Sequence, residues 1–353
     1  MDSKVDELLR SEMRKVAPGT RLREALDAII AGRTGALIVI GDEPSVAGLS
    51  NGGFSIDIPF TPQRLFELAK MDGAIILDTD CERILKANVH LVPDPSLPTS
   101  ESGMRHRTAE RVSRQTRALV ISISQRREIV SLYLAGRRLT LDDIEVALAK
   151  ANQALQTLER YRTRLDEVLE RLTALEFYDL VTVADVTEAI GRFELVQRVA
   201  REVARYIDQL GTEGRLIRMQ ADELTASVDE TYLLLLRDYA ADSGLRKVQT
   251  IRAKLGDLAA DRLFEPDSVG PVLSASSAMV GPEDHVRARG YRALAHIPML
   301  PTSITHRIIE HFGSLPQILA ANAAELDEVD GVGARRARSI INGLARIRSH
   351  MSV

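Results

Sequence analysis

Short, mostly apolar runs rich in Val, Ile and Leu punctuate residues 1–140. They lie at Ala36–Ile40, closed by Gly41-Asp42, at Ala74–Leu77 and at 118–123. Each follows a stretch whose apolar residues recur at helical spacing, at 22–30, 62–71 and 105–116. Runs without polar alternation suit strands buried on both faces, so this order predicts a largely buried sheet with helices packed on it. A further strand is predicted at 128–134. The segment 93–100 carries Pro93, Pro95 and Pro98 and reads as a loop, because each proline lacks an N–H and breaks a regular element.

From Leu141 the pattern changes. Ile144, Leu148, Ala151, Leu155, Leu158, Leu165, Leu169 and Leu172 keep alternating spacings of four and three, broken once where Arg162 takes an apolar position. That predicts a long helix with one seam, in a block that stays helical to about Ala260 and packs as a bundle rather than as a free coiled coil. The block shows no catalytic constellation and reads as a spacer or scaffold. Residues 267–282, small and interrupted by Gly and Pro, read as a linker. Beyond them lie two similar units. In the second, a helix at 324–329 and the turn Asp330-Gly331-Val332-Gly333 lead into a helix at 334–348; in the first, Ile297-Pro298-Met299-Leu300-Pro301 leads into a helix at 302–312. The predicted organisation is an α/β N-terminal domain (1–140), an all-α helical spine (141–285) and a C-terminal tandem helix–hairpin–helix domain (286–353).

Composition narrows the class. A single cysteine, Cys81, excludes a disulfide framework and a cysteine-based zinc site. No run reaches the length of a membrane span, and the first residues form a charged amphipathic stretch rather than a signal peptide, so a cytoplasmic protein is expected. The net charge of −4 hides a segregation: +2 over 1–140, −10 over 141–285 and +4 over 286–353. Nine arginines against two glutamates lie between Arg105 and Arg138. Two basic ends flank an acidic middle, so an average near neutrality does not exclude a polyanionic partner.

In the C-terminal unit, Gly331 and Gly333 permit positive φ and let a phosphate approach the backbone of Gly331, Val332 and Gly333. The next helix offers its N–H groups and positive dipole end, and Arg335, Arg336 and Arg338 in its first turns oppose that dipole unless an external anion is present. The plainer reading is a glycine cap between two packed helices. The pattern resembles the helix–hairpin–helix DNA-binding domain, which implies sequence-independent phosphate binding. In the first unit prolines stand where the glycines would be. His306 and Glu310 share a helix face there but His311 does not, which argues against a zinc site.

No Walker A loop, dinucleotide fingerprint, HExxH or GxSxG motif is present. Three polar motifs instead adjoin apolar runs: a glycine loop at Ser50-Asn51-Gly52-Gly53-Phe54, Asp72-Gly73-Ala74 at a strand start, and Arg105-His106-Arg107-Thr108 at a helix start. Two guanidiniums and an imidazole at a helix N-terminus make a polyanion site, and a nearby carboxylate can hold a divalent metal or position a hydroxyl. Together these are the parts needed for transfer at phosphorus. Singly, Asp72-Gly73-Ala74 reads as a turn into a strand and Arg105-His106-Arg107 as a solvated helix face.

The segments MDGAIILD, ESGMRHRTAERVSRQT and ALVISISQRREIVSLY, with a helical spacer and the C-terminal hairpins, closely resemble the DNA-integrity-scanning family of bacterial diadenylate cyclases along the whole chain. The resemblance implies condensation of two ATP into cyclic di-AMP and two pyrophosphates, dependent on Mg²⁺ or Mn²⁺. It further implies active sites formed between facing cyclase domains of a homo-octamer, inhibition by branched DNA, and a nucleoid-associated location. Carried over, Asp72 would ligate the metal and activate the 3′-hydroxyl. Gly73, Ala74, Leu91, Met104, Thr108 and Ser124 would contact ATP, and Arg105, His106 and Arg107 would bind the triphosphate and assist catalysis. Gly331, Val332, Gly333, Arg335, Arg336 and Arg338 would bind DNA. The family pattern before Arg-His-Arg is Gly-Thr, whereas Met104 stands here, so a hydroxyl contact at that position is lost. The alternative is a DNA-binding repair or architectural protein whose nucleotide-binding domain is weak or inactive.

Overall fold

The computed structural model describes residues 8, 11–126, 129–273 and 281–350. By contacts the chain divides into two compact units, Met1–Gln153 with Val203–Met219, and Ala154–Glu202 with Gln220–Val353.

The first unit is built on a mixed sheet of eight strands: β1 Ala36–Ile40, β2 Ser50–Asn51, β3 Phe54–Pro59, β4 Ala74–Leu77, β5 Arg83–Leu91, β6 Leu119–Ile123, β7 Val130–Leu134 and β8 Arg137–Thr140. Their order is β2-β5-β4-β1-β6-β7-β8, with β3 also paired to β5. Only β1 and β4 run parallel, with Leu37 opposite Ala74; β6 lies antiparallel on the other side of β1, with Ala36 opposite Ile123. The apolar runs are continuous because both faces are covered. Ile38, Ile40, Ile75, Leu77 and Ile121 meet Leu22, Leu26 and Ile29 of α1 (Arg21–Ala31) and Leu65 of α3 (Pro62–Ala69) on one face. Leu37, Val39, Ala74, Ile76 and Tyr133 meet Ala109 and Val112 of α4 (Met104–Gln115) on the other. A short helix α2 (Glu43–Gly48) follows β1.

Threonines start α1 and α3: the hydroxyls of Thr20 and Thr61 accept from the N–H groups of Arg23 and Arg64, and Pro62 opens α3 at a position where its missing N–H costs nothing. The predicted strand at 128–134 is observed as Val130–Leu134, residue 128 lying outside the described residues. Residues 203–219 join this unit through specific contacts: Arg14 pairs with Asp208 at 3.0 Å and the Thr212 N–H donates to the Pro18 carbonyl at 3.2 Å.

The long helix α5 spans Ile144–Tyr178 and α6 spans Val183–Leu210. The seam residues Ala151, Leu155, Leu158, Leu165 and Leu172 are buried. At the break in the seam Arg162 reaches the carbonyls of Leu224 and Ala226, so the charge answers the C-terminal end of α7 (Arg215–Thr225). Four further helices follow: α8 Val228–Tyr239, α9 Leu245–Gly256, α10 Pro266–Leu273 and α11 Tyr291–Ala295. The linker reading of 267–282 is corrected here, since its first residues belong to α10. Pro266 sits at a helix start, and burial of Val269, Gly270 and Leu273 outweighs the interior Pro271; residues 274–280 lie outside the described residues.

Helices α12 (Thr302–Phe312), α13 (Leu315–Ala320), α14 (Ala323–Asp327) and α15 (Gly333–His350) complete the second unit. Its interior carries a polar knot. Arg292 pairs with Glu176 at 3.0 Å, both almost wholly buried, and Tyr239 donates to the same Glu176 oxygen at 2.7 Å. The Asp238 carboxylate accepts the N–H groups of Gly290, Tyr291 and Arg292 at 2.7, 2.6 and 3.0 Å, which caps α11.

Candidate functional site

The register of β1, β4 and β6 places Gly35, Asp72-Gly73 and Ser124 at one end of the sheet. Gly73 has φ +101°, and a Cβ there would lie 2.8 Å from the Asn88 carbonyl carbon of β5, so no other residue fits without moving a strand. That turn leaves the Asp72 side chain fully exposed. Arg105, one residue into α4, brings Nη2 to 3.5 Å from Asp72 Oδ1. Its guanidinium lies in the space left by the missing Cβ of Gly35, a contribution the sequence did not announce.

The N-cap of α4 is Gly103, and no side chain caps its first turn. Met104 is 84% exposed, Arg107 is exposed, and Arg105, His106 and Thr108 are half-buried. A helix start without a carboxylate and with three basic side chains is an electropositive surface suited to phosphate. Ala74 is buried at the start of β4. Leu91, placed among the ATP contacts by the resemblance, is 6% exposed and packs with Val89, Ala74 and Val112. Ser124 follows the last residue of β6 and its N–H donates to Ile129 at 3.0 Å. The glycine loop is a turn joining β2 to β3, both paired with β5; the absent Cβ of Gly53 lets β5 approach.

Not all of the arginines at 105–138 face outward. Arg114 pairs with buried Glu110 at 2.8 Å, and Glu110 also accepts from the Thr99 hydroxyl at 2.7 Å and the Ser100 N–H at 3.1 Å. Arg111 donates to the carbonyls of Leu97 and Pro95, both at 2.9 Å. These bonds clamp the proline-rich loop onto α4 and fix the segment that enters the Arg-His-Arg turn. Behind His106 lies a chain of polar groups that sequence reasoning missed: Nδ1 is 2.9 Å from the Tyr133 hydroxyl, which donates to Glu101 at 2.9 Å, which accepts from Arg138 at 2.9 Å.

In the second unit, Gly331 has φ +86° and Gly333 φ +62°, with Val332 buried between them. A Cβ on Gly331 would lie 2.6 Å from Ile304 Cδ1, whereas one on Gly333 meets open space. Arg335, Arg336 and Arg338 are exposed on α15. Arg336 folds back to donate to the Gly331 carbonyl at 2.6 Å, so its place near the helix start has an internal cause and does not require an external anion. The turn 297–301 repeats the geometry: Met299, with φ +60° and 96% exposed, takes the place of Gly331, and Leu300 N–H donates to Ile297 as Val332 does to Val329. His306 bonds Tyr291 at 2.8 Å, and no cluster of metal-binding groups occurs among the described residues. Among those residues no helix is long and apolar enough to cross a membrane.

Two family models match the chain. A family model described as "DisA bacterial checkpoint controller nucleotide-binding" matches residues 23–138, and one described as "DisA bacterial checkpoint controller linker region" matches 141–280. Proteins named "DNA integrity scanning protein DisA" align along almost the full length. That of Symbiobacterium thermophilum is 48% identical over 97% of this chain and 96% of its own. That of Acidothermus cellulolyticus is 48% identical over 98% and 95%. That of Carboxydothermus hydrogenoformans is 46% identical over 97% of each. Carrying the nucleotide-binding and linker regions in this order, the chain belongs to the DisA family of diadenylate cyclases.

Proposed function

We propose that the chain condenses two ATP into cyclic di-AMP and two pyrophosphates, and that DNA held by the hairpins of a C-terminal helix–hairpin–helix domain (286–353) regulates this activity. One observation carries the catalytic part: Asp72 and the Arg105-His106-Arg107 helix start meet at one end of the sheet, over a turn only glycine can make. Arg105, His106, Arg107 and the first-turn N–H groups hold the triphosphate, with Thr108 and Ser124 as further contacts, while Gly73 and Ala74 let the nucleotide reach the backbone. Asp72 orients the 3′-hydroxyl and takes up its proton as the oxygen bonds to the α-phosphorus of a second ATP. The bond from that phosphorus to the pyrophosphate oxygen breaks in line. A second such transfer closes the ring.

The full exposure of Asp72 suits a site completed by a facing cyclase domain, the pairing from which an octamer is to be assembled in this proposal. One exposed carboxylate, belonging to no group of three or more acids, His or Cys among the described residues, fits Mg²⁺ or Mn²⁺ arriving with the triphosphate rather than a resident ion. When bound, the cation neutralises charge on the phosphates. Gly331, Val332, Gly333, Arg335 and Arg338 grip DNA phosphates without reading sequence, a role that goes with a cytoplasmic, nucleoid-associated protein.

Purified protein with ATP and Mn²⁺ or Mg²⁺, its products resolved by mass, tests the reading. Cyclic di-AMP from the native chain, and none from Asp72→Asn with DNA binding retained, is the expected result. No product with any metal decides for a DNA-binding repair or architectural protein with an inactive nucleotide-binding domain, which Met104 at the triphosphate turn would favour.

A further inference from the structure

Tyr133 is the largest polar side chain buried in the first unit, and the proposed chemistry gives it no task. It stands on β7, between His106 of α4 and Glu101 of the clamped loop, 2.9 Å from each. A phenol has one proton to give. The carboxylate of Glu101, paired with Arg138 at 2.9 Å, can only accept, so the phenolic proton goes to Glu101. The phenolic oxygen must then accept from His106, which puts the proton of a neutral imidazole on Nδ1. Burial and the adjacent Glu101 push the Tyr133 hydroxyl far above its ordinary range, so it does not ionise and reverse the direction of these bonds.

The chain of bonds has a second effect. It ends on a negative charge, and charge-assisted bonds strengthen when the far partner becomes cationic. An imidazole that gains a proton beside a triphosphate is stabilised through Tyr133 by Glu101, while Arg138 holds that carboxylate and the Thr99 hydroxyl, which accepts from the Glu101 N–H at 3.1 Å, holds the backbone that carries it. Each contact is anchored on a different element: α4, β7, β8 and the loop clamped by Glu110.

We infer that Tyr133, with Glu101 and Arg138 behind it, is a positioning residue for the cyclase reaction: it fixes the Nδ1–H tautomer of His106 and aims Nε2 toward the triphosphate. The inference rests on the proposed role of His106 in holding the triphosphate, but its first test is independent of turnover. In full-length protein labelled with ¹⁵N-histidine, the seven histidines are resolved and His106 is assigned by its loss in His106→Gln. The ring shifts should report Nδ1–H in the native chain and a mixture or Nε2–H in Tyr133→Phe. In the same variant kcat should fall about tenfold, the size seen when an orienting partner of a functional histidine is removed, with KM changed far less. Glu101→Gln keeps an acceptor for the phenol and removes the charge. It should retain the tautomer yet lose a comparable part of kcat, and it carries the test should Tyr133→Phe fail to fold. An Nε2–H native tautomer, or folded variants of both kinds with kcat within about twofold of native, would overturn the inference. A native chain that shows Nδ1–H but makes no cyclic di-AMP would overturn the proposed function and leave the tautomer assignment standing.

Discussion

Replacing Gly73 by alanine tests whether the turn before β4 is as constrained as its geometry says. The backbone there sits at φ +101°, where an L side chain costs about 1–2 kcal/mol. The added Cβ would also lie 2.8 Å from the Asn88 carbonyl carbon, 2.9 Å from Asn88 Oδ1 and 3.0 Å from Asn88 Cα. Two of those atoms are backbone of the neighbouring strand, itself held at φ +53°, so the overlap is relieved only by prising β4 from β5. Overpacking of that kind costs about 1–3 kcal/mol. Together the losses come to about 2–5 kcal/mol, or roughly 4–20 °C in the melting temperature of a domain this size. Thermal unfolding followed by circular dichroism reads the stability. The initial rate of product formation, corrected for the folded fraction, should fall further because Asp72 is displaced. Gly48→Ala is the control: its Cβ would meet nothing within 4 Å and its φ is not positive, so no stability should be lost. A Gly73→Ala protein melting within about 2 °C of native at full rate would refute the steric reasoning.

Other consequences can be checked in the same preparations. Burial alone would raise the Glu110 carboxyl, but its bonds from Arg114, Thr99 and Ser100 outweigh this and leave it below its ordinary 4.5. An acid held lower in the folded than in the unfolded chain stabilises above that value, and the contribution is lost as pH falls through the folded value. Glu110→Gln should therefore melt lower at neutral pH and show a flatter loss of stability below about pH 4.5, and an unchanged acid limb would contradict the clamp. Gly331→Ala should weaken DNA binding at least about tenfold through its collision with Ile304, whereas Gly333→Ala, with open space around it, should weaken it less; filter binding at two salt concentrations decides. Arg292→Ala should destabilise the second unit by about 3–5 kcal/mol, read by urea unfolding, because buried Glu176 is left without its cationic partner.

The sequence announced the sheet's centre and concealed its edges. β1, β4, β6 and β7 are buried on both faces, so their residues are almost all apolar, Ser122 and Ser131 being the polar exceptions, and the runs stand out. β5 was missed because Lys86, Asn88 and His90 interrupt it and register shifts against β3 and β4 break its alternation. β8 was missed because Arg137 and Arg138 charge an edge strand. β3 did carry a signal, the period-two Phe54-Ser55-Ile56-Asp57-Ile58. Asp72 and Arg105-His106-Arg107 were legible because they cluster along the chain. Glu101 and Tyr133 were not, since a tyrosine in an apolar run looks like core until the fold sets its hydroxyl beside a histidine on another element. Arg336 likewise has a partner that only the fold discloses, a carbonyl of the very turn it follows.

The knot around Asp238 and Glu176 bears on how such a chain can be cut. Residue 286 is the natural place for a cloning boundary, yet the fragment before it would keep two buried carboxylates stripped of the Arg292 guanidinium and of three backbone donors. Asp238, already pushed up to about 7 by burial and by Glu176, would take a proton or draw in water. The fragment after it would begin with an uncapped α11. Neither piece inherits a finished surface, so the last 68 residues are less a detachable reader than the closing wedge of the helices they complete.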